Sequence, residues 1–200
     1  MKLYYAPGAC SLSPHIALCE AGLSFELVKV DLGTKKTASG EDFCTINPDG
    51  YVPALQLDNG VVLTEGPAIV QYIADLVPEK NLAPANGSLA RYQLQSQLNY
   101  IATELHKTLG ALFAPGIENR RDAILNLFSR RLNHAASQLA KTPYLMGDTY
   151  TVADAYLFTV LGWAPHLKLD LSPWPSLTSF IDRVGARPAV QAALRAEGLL

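Results

Sequence analysis

No apolar run in the chain comes near the roughly 18–20 residues that a membrane-spanning helix needs. Cysteine is scarce: Cys10, Cys19 and Cys44 form no C-x-x-C pair and no even framework. That argues against a disulfide-built secreted fold and for a reducing cytoplasm. Excess charge is also missing. A formal net of −2 gives no electrostatic reason to bind nucleic acid or an anionic membrane. The basic-then-apolar pattern of a leader peptide is not seen, because Lys2 opens a strand that Pro7-Gly8 breaks. His15, His134 and His166 have no ligand spacing to one another or to the cysteines, so no metal site is expected. Glycine-rich phosphate loops, nucleophile elbows, internal repeats and low-complexity tracts are absent as well.

What is present is an ordinary globular composition. With 49% apolar residues, a chain of 200 can bury a real core as one large domain or two small ones. Strand and helix signals alternate at first. Lys2–Tyr5 reads as a strand, followed by a helix closed at Gly22 and a second strand over Phe25–Val30. Asp31–Ile46 is polar and poorly periodic, a loop with a short helix near Glu41–Cys44. Ala54–Leu57 and Val61–Leu63 flank Asp58-Asn59-Gly60, a hairpin turn. Ile69, Ile73 and Leu76 then recur at helical spacing, with Pro67 suited to a first helical position. The following stretch to Gly87 holds two prolines and no periodicity, and reads as a linker.

Beyond the linker every signal is helical. One long helix runs from about Ser88 to Leu112, with Leu98, Ile101, Leu105, Leu109 and Leu112 as its core stripe. Another spans about Glu118–Leu139, and a third opens at Thr151, where Asp154 completes a capping box. Two shorter helices follow Pro173 and Pro188. The expected organisation is an α/β domain over 1–78, a linker over 79–87 and an all-helical domain over 88–200.

Cys10 stands where the first strand gives way to the first helix. Unpaired backbone N–H groups and the positive helix end near its sulfur would lower the thiol pKa. Cys10-Ser-Leu-Ser13 also has the C-x-x-S spacing of one-cysteine redox motifs. Cys19 and Cys44 read as small structural residues. Asn99, Thr103 and His106, continued by Gly110, share a polar stripe of the long helix beside its leucines. Such a stripe suits a cleft wall, and partial burial at a domain boundary is the plainer alternative. Glu65-Gly66-Pro67 begins a helix whose N-terminus is an anion site, or simply places an acid where the dipole favours it.

Five stretches carry a resemblance. They are Tyr4–Ser11, Asn47–Leu55, Leu63–Gly66, Asn99–Lys107 and Thr151–Phe158. In this order, spanning the chain nearly end to end, they resemble the cytosolic glutathione S-transferases of the bacterial beta class. The resemblance implies a thioredoxin-like α/β N-terminal domain and an all-α C-terminal domain. It implies that Cys10 contacts the glutathione sulfur and can form a mixed disulfide with it. Val52-Pro53 would be cis, so that Val52 binds the cysteinyl part of glutathione through its backbone. Glu65 would take the γ-glutamyl ammonium and the Gly66 N–H its carboxylate; many relatives have serine where Gly66 stands, so a hydroxyl contact is lost.

The same resemblance sets Asn99 and His106 against glutathione, with His106 toward the sulfur and Thr103 on the same stripe. Glu104 and Lys107 lie on neighbouring faces, within reach of the ligand or a partner subunit. Lys35 matches a lysine that pairs with the glycyl carboxylate, and the adjacent Lys36 is an alternative. Tyr5 matches the tyrosine that activates the thiol in other classes, with packing as its alternative role. Leu109, Phe113 and Trp163 are candidates for the wall of an apolar pocket. The implied protein is a cytoplasmic homodimer with glutathione as co-substrate, no further cofactor and no metal. Its expected reaction is transfer of glutathione to a hydrophobic electrophile, as in detoxification, with the thiolate as nucleophile. Thiol–disulfide exchange or peroxide reduction at Cys10 is a rival or an added activity. A binding protein that sequesters hydrophobic ligands without turnover is the alternative outside catalysis.

Overall fold

A computed structural model describes residues 1–200. The chain divides into two compact units: Met1–Ala83 with Ala186–Leu200, and Pro84–Gly185. The first is built on β1 (Lys2–Tyr5), which pairs parallel to β2 (Glu26–Asp31) and antiparallel to β4 (Ala54–Gln56). With β3 (Lys36–Thr37) and β5 (Val62–Thr64) the order is β3-β2-β1-β4-β5. The parallel pair needs a crossover, which α1 (Leu12–Ala21) supplies. Period-two alternation then sorts the side chains. Leu27, Leu3, Leu55 and Leu63 line up in register across four strands. Tyr4 clusters instead with Ala6, Val30, Phe43, Val52 and Ala54. α2 (Gly66–Asp75) packs on α1, and Ile16, Ile69 and Ile73 are fully buried.

The last helix, α8 (Pro188–Glu197), departs from the expected division, which gave all of 88–200 to the helical domain. It packs on α1 and belongs to the first unit. Three polar ties explain this. Arg187 grips Glu20 with two bonds of 2.5 and 2.9 Å. His15 Nδ1 meets the fully buried Glu197 carboxylate at 2.8 Å. The Gly8 N–H donates to the other Glu197 oxygen, also at 2.8 Å. A carboxylate buried this far requires such partners, and they come from residues nearly two hundred positions away.

The second unit begins with α3 (Leu89–Tyr100), capped by the Ser88 hydroxyl, which accepts from Arg91 N–H at 3.1 Å. One π-helical turn over Ile101–His106 joins α3 to α4 (Lys107–Gly110). α5 (Arg121–Leu139), α6 (Val152–Leu161) and α7 (Pro175–Gly185) complete it. The long helix is thus continuous, as expected, but carries a π turn that apolar periodicity does not signal. The leucine stripe is buried throughout. Smaller differences concern the segment expected to be loop. It contains β3 and a 3₁₀ turn at Phe43–Thr45, and α2 starts at Gly66, one residue before Pro67.

The capping box at α6 is present, and Asp154 does more than cap. Its carboxylate accepts from Leu145 N–H and Thr151 N–H, both at 2.8 Å, and from the Thr151 hydroxyl at 3.0 Å. Asp154→Ala strands two buried amides at about 1–3 kcal/mol each. The expected loss of unfolding free energy is therefore about 2–6 kcal/mol, read from urea midpoints. A loss below about 1 kcal/mol would show the cap to be dispensable.

Candidate active site

In the first unit the candidate residues converge on one strip, Gly50–Pro53. The Asn47 side chain holds it by donating to Tyr51 C=O at 2.8 Å. The Val52–Pro53 bond is cis. Cys10 Sγ donates to Val52 C=O at 3.2 Å. The Val52 side chain is part of the Tyr4–Phe43 core cluster, so only its backbone faces out, and its N–H makes no bond within the chain. Pro53 approaches Gly66: a Cβ on Gly66 would sit 3.9 Å from Pro53 Cγ. Cys10, Val52, Glu65 and Gly66 are therefore neighbours along one line.

Lys35 reaches the same strip from the other end. Its Nζ donates to Gly50 C=O at 2.9 Å and lies 5.4 Å from the centre of the exposed Tyr51 ring. Lys36 instead pairs with Asp31 in β3 and is exposed. Of the two lysines, Lys35 is the one at the strip. Glu65 holds φ 65° and ψ 112°, a strained conformation for a residue with a Cβ, while its carbonyl accepts from Ala68 and Ile69 at 3.0 Å. Its carboxylate takes no part in capping.

The turn carrying Cys10 differs in one respect from expectation. Ser11, at the N-cap of α1, does not cap; its hydroxyl donates to Ala6 C=O and accepts from Ala6 N–H, each at 3.2 Å. Leu12 and Ser13 N–H groups are engaged by Ala9 and Cys10 carbonyls at 3.0 and 3.3 Å. The positive helix end persists beside Cys10, with fewer open amides than the sequence suggested. Ser13, at the place of a resolving thiol, is fully buried, and its hydroxyl has no hydrogen-bond partner.

Tyr5 is not beside the thiol in its interactions. It is buried, its ring lies 6.2 Å from His15, and its phenol makes no hydrogen bond within the chain. Burial and then the Glu197 charge push the phenol above its ordinary pKa, which weakens it as a donor. Its place is in packing. Burial, with the Glu20 and Glu197 charges, pushes the Cys19 thiol up to about 11, leaving it inert near neutrality. Cys44 is half-buried against Gly50.

In the second unit the polar stripe coincides with the π turn, a feature frequent at functional sites. Asn99 and Thr103 are exposed, with the Thr103 hydroxyl donating to Asn99 C=O at 3.0 Å. Glu104 is turned elsewhere. Its carboxylate pairs with Arg131 at 2.7 Å, and Arg131 also donates to Glu104 C=O and the Thr108 hydroxyl. His106 Nδ1 lies 2.6 Å from the Tyr156 oxygen. Its ring packs edge-on to Trp163 at 4.9 Å, and Trp163 packs edge-on to Phe113 at 5.9 Å. Burial, then the Lys107 charge, lowers His106 to about 4. Leu109 is 0% exposed and cannot line a pocket, whereas Phe113 is 57% exposed and Trp163 lies behind it.

Sequence reasoning missed three partners. Arg131 and Tyr156 sit 27 and 50 residues from the groups they bond. Glu197 is 189 residues from Gly8. Only Tyr156 carried a signal, lying inside the motif Thr151–Phe158. No group of three or more His, Cys, Asp or Glu is placed to hold a metal ion.

Comparison with known proteins gives consistent matches. The chain matches the N-terminal domain of glutathione S-transferases over residues 1–75 and their C-terminal domain over 101–188. It is 47% identical over 200 residues to glutathione S-transferase GstA of Escherichia coli O157:H7, covering 100% of both chains. Among solved structures it is similar to BphK, a bacterial enzyme of the same kind seen in a ternary complex. There the identity is 63%, the TM-score 0.98 and the coverage 100% of both chains. A bacterial beta class glutathione S-transferase of Sphingomonas chungbukensis matches at 47% identity and TM-score 0.97, again over 100% of both.

The state of His106 gives a direct check. Below its ordinary pKa of 6.5 the unfolded chain binds a proton that the folded ring refuses until about pH 4. This group's contribution to stability is therefore complete above about pH 6.5 and declines as the pH falls toward 4. Its imidazole resonances should not titrate between pH 8 and 5. A midpoint near 6.5 would show the ring to be solvated.

Proposed function

The chain belongs to the glutathione S-transferase family, and we propose that it transfers reduced glutathione to hydrophobic electrophiles from a site centred on Cys10. One observation carries the assignment of the site: the Cys10 thiol is bonded at 3.2 Å to Val52 C=O, beside the open Val52 N–H and the cis proline. An open N–H next to a fixed carbonyl is a pairing edge for a short extended peptide. Glutathione is such a peptide. Its cysteinyl segment would pair with Val52 and bring its sulfur to Cys10. Its γ-glutamyl end would meet Glu65 and the N-terminus of α2, where the Gly66 N–H receives the carboxylate. Lys35 is suited to its glycyl carboxylate, exchanging a neutral carbonyl for an anion.

The central catalytic effect is a lowered pKa for the bound thiol, since the thiolate is the nucleophile. The positive end of α1 near Cys10 favours that anion. In the second unit Asn99, Thr103 and His106 are assigned to glutathione, and the exposed Phe113 with Trp163 to the apolar co-substrate. Glutathione serves as co-substrate, with no further cofactor in the reaction. A second activity at Cys10 is supported by Ser13, which cannot resolve a disulfide. Cys10 thiolate attacks a glutathione mixed disulfide and releases the other thiolate. A second glutathione thiolate then cleaves the Cys10 adduct, giving glutathione disulfide and restoring Cys10.

The three cysteines form no disulfide with one another, which supports the cytoplasm as its place. A homodimer is supported by Leu89 and Tyr92, one turn apart on α3 and 74% and 60% exposed. Sedimentation equilibrium should return twice 21.6 kDa, and Leu89→Glu with Tyr92→Glu should shift it toward one chain. A native mass of a single chain removes the dimer.

The function is tested by glutathione-dependent turnover of a generic aryl halide, native chain beside Cys10→Ala. Turnover in both establishes a transferase whose nucleophile is glutathione and leaves Cys10 its redox role. Turnover only in the native chain places Cys10 in the conjugation step, given a variant that folds and binds glutathione. No turnover in either overturns the transferase reading in favour of redox chemistry or ligand binding.

A further inference from the structure

Tyr156 is buried in α6, a helix with no exposed residue, and packing alone would account for its ring. Its hydroxyl needs another account. The oxygen lies 2.6 Å from His106 Nδ1. A phenol O–H is a stronger donor than a neutral imidazole N–H, and an imidazole nitrogen is a stronger acceptor than a phenol oxygen. The Tyr156–His106 pair is therefore read with the phenol as the donor and Nδ1 as the acceptor. A neutral imidazole has one N–H, so a bare Nδ1 places the hydrogen on Nε2.

We propose that Tyr156 is a positioning residue that holds His106 as the neutral Nε2–H tautomer, making its other ring nitrogen a hydrogen-bond donor. The opposite tautomer would carry its hydrogen toward the phenol and leave a bare Nε2, fit to accept a proton. Further contacts fix the ring plane. Tyr156 meets His106 edge-on at 5.8 Å and 87°, and Trp163 meets it at 4.9 Å and 71°. His106 closes the π turn, and the extra residue in that turn sets the direction in which the ring leaves the helix. The cation next to it, Lys107, disfavours a second proton on the ring.

The chemical consequence rests on the assignment of His106 to the glutathione sulfur. A fixed Nε2–H donor stabilises the thiolate by a hydrogen bond and does not take its proton. The thiol proton leaves to solvent, and the histidine begins and ends the step neutral. A buried hydroxyl that selects the tautomer of a working histidine acts as the hydrogen-bond partners of metal-bound histidines do.

The test is nitrogen-15 spectroscopy of the histidine-labelled native protein, with His106 identified by the signal lost in His106→Gln. A protonated Nε2 and a bare Nδ1 are expected. A proton found on Nδ1 overturns the proposal, and this measurement needs no Tyr156 variant to fold. In Tyr156→Phe both tautomers should appear, and an unchanged tautomer overturns it equally. In the same variant the midpoint for deprotonation of bound glutathione, followed by thiolate absorbance, should rise by about one pH unit, a roughly tenfold loss of thiolate near neutrality. A changed tautomer with the midpoint unmoved in both Tyr156→Phe and His106→Gln upholds the positioning role. That outcome instead overturns the placing of His106 at the sulfur.

Discussion

The first unit depends on one desolvated carboxylate. The Glu197 side chain has no exposure, and a charge so placed is tolerated only when its oxygens are matched. One oxygen takes the buried His15, the other the N–H of Gly8. These bonds fasten α8 to α1 and fix the turn after β1. Within that turn the Ser11 hydroxyl closes on Ala6, which sets Cys10 against Val52. The thiol's place is therefore the last link of a chain of polar contacts that starts at the far end of the sequence. Replacing that carboxylate would be felt first in the turn and only then in the chemistry.

The same charge helps separate the cysteines. With burial it pushes up the Cys19 thiol and the Tyr5 phenol, both of which it reaches through the interior. Cys19 is thereby withdrawn from chemistry and Tyr5 from proton donation, while Cys10 stands at a helix N-terminus beside a peptide-pairing edge. Environment, not residue type, divides the labour among chemically equivalent groups. In the proposed reading, conjugation and disulfide exchange would draw on the same neighbourhood. They differ only in whether the attacking sulfur belongs to glutathione or to the protein.

Much of this was legible in the sequence, for reasons that differ by element. β1, β2, α2 and the hairpin about Asp58-Asn59-Gly60 have strong local periods or turn chemistry, and they formed where expected to within a residue or two. β3 is two residues long and has no period to read. The leucine stripe of the long helix was legible, but the π turn within it was not, since an added residue leaves no mark in the composition. In the site, Cys10, Val52, Lys35 and Gly66 fell along one strip, because motif order fixed their neighbourhood. Glu104 was placed by its helix face, Tyr5 by the resemblance and Leu109 as a pocket-wall candidate, and tertiary contacts assigned them otherwise. Arg131 took the carboxylate of Glu104, His15 took the ring of Tyr5, and the helical core took Leu109. The residence of α8 in the first unit was illegible for the same reason: His15 and Glu197 are 182 positions apart, and nothing local announces that they meet.

That residence has a consequence for the order in which the protein is made. The helical unit, Pro84–Gly185, is an uninterrupted stretch, and its contacts are complete once that stretch has emerged from the ribosome. The first unit is split around it and lacks its closing helix until Pro188–Glu197 has been made. Nascent chains therefore carry β1 and α1 with His15 and the Gly8 amide waiting for a carboxylate not yet synthesised. The part of the molecule made first is the part finished last, and its unfinished surface is what chaperones would meet.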